Sequence, residues 1–399
     1  MNVIIYYEQF SFGGVDKHLC ELVNNWKNKK DNITIVTNRN NKGFQKIRNS
    51  LKKTKIVYFN SYSYSYFIDF LYKNNLSFLR FLSYFFQPIF LFLSIGKFIF
   101  LLKDINKNTI IMSSNGSYPG SWANIAIILA AKFCKIRKRI LLIHHESSYS
   151  NIISWVFAFF IDKILSRSLT HLICVSKATL NTIKKRRNLN YNYFKTQIIH
   201  NDIKILEKNL KKKLFVSLKK KYCLFGILGR ADAYKGHEDV LYAISQIDLK
   251  YRNKIKLMLI GLIDFGRKKF LKDLSIKLGI KKNIIFTGYL SSDSQIIINN
   301  LDVVIMSTRD FEGFGYTALE AIKLGKPLIT TDVGAIKEFV DPRYAEIIKP
   351  KKVKEFALVI SKIISRIKYY KKRAAIYKKK YNKKFEVSET YRSVFVDRN

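Results

Sequence analysis

Short runs of β-branched and aromatic residues alternate along this 399-residue chain with longer segments whose apolar side chains recur every three or four positions. The short runs read as strands. Residues 3–7, 33–37, 55–59, 109–113, 139–144, 170–175 and 196–200 make one series, and residues 222–228, 255–260, 284–287, 302–306 and 327–331 make a second. Such continuously apolar strands, separated by helical patterns, belong to parallel sheets wound by crossover helices. The lysine-rich stretch 203–221 shows no clear strand and separates the two series. The pattern predicts an α/β chain of two doubly wound, Rossmann-like halves, residues 1–205 and 206–385, with a tail 386–399 that can return to the first half. Residues 368–384 read as a charged helix, and no repeat of fixed period is found.

One stretch departs from this rhythm. No residue between Arg80 and Lys97 is charged, and the run is nearly all apolar around Gln87-Pro88. A membrane-spanning helix needs about 20 apolar residues, and this run is shorter and interrupted by proline. From Phe81 to Leu102 three readings stand: a buried helix pair, a surface lying in a membrane interface, and a span. Arg80, Lys97 and Lys103 flank the run as they would on a helix at an anionic bilayer.

Charge sharpens that picture. Lys and Arg number 72 against 29 Asp and Glu, a formal net charge of +43. Such an excess attracts nucleotide phosphates, nucleic acid or an anionic membrane surface, although a general richness in Lys, Asn, Ile, Tyr and Phe accounts for part of it. With 48% hydrophobic residues the chain is globular rather than disordered. Cys20, Cys134, Cys174 and Cys223 lie far apart in apolar stretches and form no Cys-x-x-Cys pair, which predicts free thiols in a reducing compartment. The first strand is followed directly by Glu8, with no basic segment before a long apolar core. That start predicts no secretory signal and a cytoplasmic chain.

The chemistry concentrates in residues 302–325, DVVIMSTRDFEGFGYTALEAIKLG. An apolar strand ends at Met306, a polar loop follows, and a helix begins near Gly315. In open parallel sheets ligands bind at the carboxyl ends of strands, where helix N-termini present backbone N–H groups. Gly313 and Gly315 let that backbone come close to a ligand. Glu312 and Glu320 suit hydroxyl pairs, such as those of a sugar or a ribose, whose O–H groups carboxylate oxygens accept. Two solvated glutamates on a surface helix would show the same spacing.

Together with its neighbours, this segment resembles the nucleotide-sugar signature of retaining GT-B-fold glycosyltransferases, in particular the large bacterial family four. Gly13-Gly14, Val175-Ser176-Lys177, Gly229-Arg230, Lys235-Gly236-His237, Gly261, Gly288 and Glu338 fall in the family's order over nearly the whole chain. The resemblance implies two Rossmann-like domains facing a cleft. It implies transfer of a hexose-type sugar from a UDP- or GDP-linked donor, with retention at the anomeric carbon and without a metal or other cofactor. Arg230 and Lys235 would bind the donor diphosphate, where two fixed cations stabilise the departing charge. A solvated surface cation is the plain alternative for each. Glu320 would bind the ribose hydroxyls and Glu312 those of the transferred sugar. The backbone of Gly313, Phe314, Gly315 and Tyr316 would hold phosphate or sugar, and Gly288 would pass the base. In the first half, His145 would point at the reacting sugar, while His144 alternates to the opposite face and packs. Glu146 would orient His145 or cap the next helix. Gly13 and Gly14 form a close-approach turn beside the cleft, or a plain strand-to-helix turn. Residues 115–120, NGSYPG, look like an acceptor-side loop.

One position departs from the family. Asn201-Asp202-Ile203 stands where relatives carry Asn-Gly, and Asp is one of the few other residues that tolerates a left-handed turn. The second half has no Asp-x-Asp at a strand end, and no cluster has metal-ligand spacing. The implied acceptor is a lipid-linked sugar in assembly of a capsule, O-antigen or other surface polymer. The chain would then sit peripherally on the inner face of the cell membrane, with an anionic membrane surface as partner and no nucleic acid. Two other classes fit the charge. One is a basic nucleic-acid-binding protein, for which no recognisable motif is present. The other is a catalytically inactive GT-B-fold membrane partner, against which the intact Arg230, Lys235, Glu312 and Glu320 argue.

Overall fold

The computed structural model describes residues 1–399 except 10–12, 40, 42–43, 45–46, 52–53, 61–63, 75, 77, 80–82, 149–151, 206–212, 291–293, 382–385 and 398–399. For residues 64–66, 68–69, 83–85, 87, 152–155 and 213–214 it describes the backbone alone. The chain divides into two compact units: Met1–Asp202 with Glu386–Asn399, and Ile203–Phe385.

In the N-terminal unit, strands β1 (Asn2–Tyr7), β2 (Asn32–Thr37), β3 (Lys55–Tyr58), β4 (Ile110–Asn115), β5 (Lys138–Ile143), β6 (His171–Cys174) and β7 (Lys195–Ile198) form one parallel sheet. Its order is β3-β2-β1-β4-β5-β6-β7. In the C-terminal unit, β8 (Cys223–Leu228), β9 (Ile255–Ile260), β10 (Ile284–Gly288), β11 (Val303–Met306), β12 (Leu328–Thr331) and β13 (Glu346–Ile348) form a second parallel sheet, ordered β10-β9-β8-β11-β12-β13. The winding direction reverses between β1 and β4 and again between β8 and β11. Loops leave such a switch point in opposite directions and open a crevice at the carboxyl edge of the sheet. The strand pattern did not contain β13, whose three residues begin with Glu346 and lie at the sheet edge, too short for a periodic signal.

The central strands carry no polar alternation because both of their faces are covered. All six residues of β4 are buried, and Ile4, Ile111, Leu141 and Leu172 join the core that also takes in most of the helix Trp122–Phe133. The charge-poor run is a single 20-residue helix, Ser83–Leu102, with Pro88 inside it, and not a pair of helices. The lost backbone bond at Pro88, near the helix start, is offset by burial of Leu91, Phe98 and Leu102 further along. Phe81 and Leu82 lie outside the described residues. Among the described residues no helix is long and apolar enough to cross a membrane.

The expected charged helix over 368–384 is Ile367–Tyr381, and residues 382–384 lie outside the described ones. The last helix, Val387–Val396, packs on the N-terminal unit. There Phe395 stacks on Trp26 with ring centres 5.6 Å apart, and Arg392 Nε donates to Asp31 at 2.9 Å.

Candidate active site

The switch point of the C-terminal sheet gathers several of the residues singled out in the sequence. β8 ends at Leu228 and is followed by Gly229, Arg230 and a short turn ending at Lys235-Gly236. β11 ends at Met306 and is followed by the loop that reaches Gly315. Two hydrogen bonds tie the loops together: Arg309 N–H donates to Tyr234 O at 2.6 Å, and the Ser307 side chain donates through Oγ to Lys235 O at 2.8 Å. Gly236 makes this approach possible. Its φ is +67°, and a Cβ placed there would stand 2.1 Å from Ser307 O. Beneath the loops, Arg309 grips Asp239 through two bonds of 2.8 and 2.7 Å, and Arg267 pairs with Glu238 at 2.6 Å. A paired fork such as that of Arg309 fixes loop geometry more firmly than a single contact does.

Lys235 and Glu312 meet directly. Lys235 Nζ donates to Glu312 Oε2 at 2.7 Å, and Thr308 Oγ1 donates to the same oxygen at 3.1 Å. Burial alone would lower the lysine's pKa, but the carboxylate of Glu312, helped by Tyr234, outweighs it and holds the ammonium above its ordinary value. Lys235 is therefore a cation at any physiological pH. The Glu312 main chain is clamped from the far side by the loop after β12: Ala335 N–H donates to Glu312 O at 2.9 Å, and a Cβ on Gly334 would come within 2.0 Å of that oxygen. Arg230 is more exposed and pairs with Asp232 at 3.1 Å.

Glu320 lies one turn into the helix Tyr316–Leu324, is 2% exposed, and accepts a short hydrogen bond from Ser294 Oγ. Gly313, Gly315 and Tyr316 carry the chain into that helix, whose N-terminus opens toward the crevice edge. Phe314 is buried and stacked on Phe339, ring centres 4.8 Å apart. It anchors the loop from the core side, so contact with a ligand there falls to its backbone. Gly288 closes β10, where its carbonyl accepts from Gly261 N–H at 3.0 Å. Sequence reasoning missed Thr308 and Ser294, each an ordinary polar residue whose only signal is its place beside a glutamate in three dimensions. His237, next to the Lys235 turn, is pushed down to about 3, first by burial and then by Arg267 and Lys235, and is therefore neutral.

In the N-terminal unit, His145 follows the end of β5 and is half-buried. His144 turns inward, with Nε2 3.1 Å from Ser114 Oγ and its ring 4.7 Å from that of His18. Burial, then the neighbouring His18, depresses the pKa of His144 well below its usual value, and burial pushes His18 down to about 4. Glu146 pairs with Arg186 at 2.7 Å, which gives it a partner on the helix Lys177–Arg186 that the sequence did not suggest. Gly13 N–H donates to Asp16 at 2.7 Å at the start of the helix Gly14–Asn24, and a Cβ on Gly13 would meet no described atom within 4 Å. Glu8, absent from the sequence-based candidates, is buried at the end of β1. It accepts from Tyr6 OH at 3.1 Å, Asn38 at 3.3 Å and Ser121 Oγ at 2.9 Å. Among the described residues no three His, Cys, Asp or Glu side chains gather as metal ligands would.

Residues 207–383 match the family described as glycosyl transferases group 1. The match falls within the C-terminal unit, Ile203–Phe385. Two curated relatives, both uncharacterized glycosyltransferases of Methanocaldococcus jannaschii, align with this chain. The first is 27% identical over 204 residues, 50% of this chain and 50% of the relative, so the match spans about half that relative's length. The second is 25% identical over 296 residues, covering 67% of this chain and 71% of the relative. Among solved structures, Anabaena HepE in complex with UDP and glucose superposes with a TM-score of 0.74 at 15% identity over 99% of both chains. WaaG, a glycosyltransferase involved in lipopolysaccharide biosynthesis, superposes with a TM-score of 0.64 at 12% identity over 100% of both. At these identities the superpositions show the fold, which is GT-B.

Proposed function

We propose that this chain is a retaining glycosyltransferase that moves a hexose-type sugar from a UDP- or GDP-linked donor to the hydroxyl of a lipid-linked acceptor in surface-polysaccharide assembly. The observation that carries the reading is the pairing of Lys235 with Glu312 at the β8/β11 switch point, with the Arg230 charge near enough to act on Lys235, inside the stretch that matches glycosyl transferases group 1. HepE has been seen with UDP and with UDP-glucose, and WaaB is a lipopolysaccharide outer core galactosyltransferase. These likenesses support the donor class and the acceptor class.

An ammonium has three N–H donors, so Lys235 can hold Glu312 with one and a phosphate oxygen with another. As the bond from the anomeric carbon to the diphosphate oxygen lengthens, negative charge grows on the leaving group, where Lys235 and Arg230 stabilise it. The acceptor oxygen bonds to the anomeric carbon from the face the phosphate leaves, and its proton passes to a phosphate oxygen. The products are the glycoside with retained configuration and the nucleoside diphosphate. Glu312 keeps Lys235 charged and in place and accepts sugar hydroxyls, and Glu320 takes the ribose hydroxyls. His145 lies on the acceptor side with Gly13 and Gly14, and no metal or cofactor is required. A thermal-shift screen of UDP- and GDP-sugars tests the donor. A ligand at about 100 times its dissociation constant stabilises by about 2.7 kcal/mol, and a flat response to every nucleotide sugar would overturn the reading.

A further inference from the structure

We infer that the outward faces of the helices Ser83–Leu102 and Ile152–Ser166 form one docking surface for an anionic lipid bilayer. Both helices follow crossovers that place them on the same side of the N-terminal sheet, where they contact each other and flank the buried helix Trp122–Phe133. An outer-layer helix is expected to be apolar inward and polar outward. These two are apolar on both sides. In Ser83–Leu102, Leu91, Phe98 and Leu102 point into the core while Ile89, Phe92 and Phe100 stand exposed, Phe100 to 73%. In Ile152–Ser166, Ala158, Ile161 and Leu165 point inward, and Val156, Phe159, Phe160 and Ile164 line the outer face at helical spacing.

Scattered apolar residues on a surface need no explanation, but two adjoining helical stripes of them mark an interaction face. Charge identifies the occupant. Residues 74–103 contain no acidic side chain, and the first one after them, Asp104, is exposed beside Lys103. Exposed cations sit on these helices and at their ends: Lys103, whose ammonium lies 4.7 Å from the ring centre of Phe100, Lys163 on the second helix with Arg167 just after it, and Lys132 on the helix between. Aromatic and aliphatic side chains rimmed by lysine and arginine fit a headgroup and acyl boundary of negative charge. Each helix commits its other face to the protein core, so the surface lies on a bilayer and does not span it. The inference deepens the reading of a lipid-borne acceptor and rests on that reading for its purpose.

Flotation with vesicles of phosphatidylethanolamine and phosphatidylglycerol tests it, beside vesicles of phosphatidylcholine. The full chain should float with the anionic vesicles at low salt and stay behind with the neutral ones. Two double variants, Ile89→Ser with Phe92→Ser and Phe160→Ser with Ile164→Ser, should each lower the bound fraction by about tenfold or more with an unchanged melting temperature. Full-chain protein that stays at the bottom of the gradient at low salt would overturn the inference. So would a stable dimer that ignores vesicles and dissociates in these variants, since a second copy would then own the face. Nucleotide-sugar binding is measured on the same samples. Its loss with flotation intact would strike the transfer reading and leave the surface standing.

Discussion

At the carboxyl edge of the C-terminal sheet the side chains are charged and paired: Lys235 on Glu312, Arg309 on Asp239, Arg267 on Glu238. At the same edge of the N-terminal sheet, the buried carboxylate of Glu8 is met by neutral donors, and His144 and His18 are held uncharged. The two sheets share the same strand order through their first six strands, so topology does not set this difference. It arises in the loops and helices that follow the strands, which a shared scaffold leaves free to vary. A charged edge suits a diphosphate leaving group, whereas an edge that adds hydroxyls, amides and neutral imidazoles to the Glu146–Arg186 pair suits an uncharged sugar acceptor. The division of labour proposed for the two units follows from that contrast.

The largest expected effect is on the charged edge. Arg230→Ala and Lys235→Ala should each lower turnover by about 10²- to 10³-fold while circular dichroism stays unchanged. Equal activity in both variants would remove the contrast altogether. Glu320→Ala should raise the donor dissociation constant by roughly tenfold through loss of charge-assisted bonds to hydroxyls, read by calorimetry with the nucleoside diphosphate alone. An effect on stability with donor affinity preserved would make Glu320 a packing residue. Gly236→Ala and Gly334→Ala put a Cβ about 2 Å from a backbone oxygen at positive φ, and should cost on the order of 1–3 kcal/mol in chemical denaturation.

At neutral pH the smallest effect belongs to the neutral edge. His18 and His144 titrate near 6.5 when unfolded and well below that when folded, so the unfolded chain binds more protons as pH falls below about 6.5. Stability should be full above that pH and fall toward pH 4, by up to roughly 1.4 kcal/mol per pH unit for each histidine. His18→Gln should flatten the slope of melting temperature against pH, and an unchanged slope would assign the acid sensitivity elsewhere.

Much of the C-terminal site was legible because its residues are local to two strand ends, where Gly229-Arg230 and residues 312–320 punctuate apolar runs. The pairing of Lys235 with Glu312 was not, because it depends on β8 and β11 being neighbours, which spacing alone does not state. Glu146 was assigned to His145 or to a cap for the same reason, while its observed partner, Arg186, is brought close by folding. The proline rule misjudged Ser83–Leu102, since one missing backbone bond weighs less than the buried face beyond it. The outward stripe of Ile152–Ser166 escaped notice because an amphipathic period does not say which face is covered.

The most direct test is calorimetric titration of UDP and GDP into the wild-type chain and into Lys235→Ala. One nucleoside diphosphate should bind the wild type and bind the variant at least about tenfold more weakly, which corresponds to a difference of about 1.4 kcal/mol. Equal affinity in the two proteins, or no binding of either nucleotide to the wild type, would contradict the donor site placed at the β8/β11 switch point.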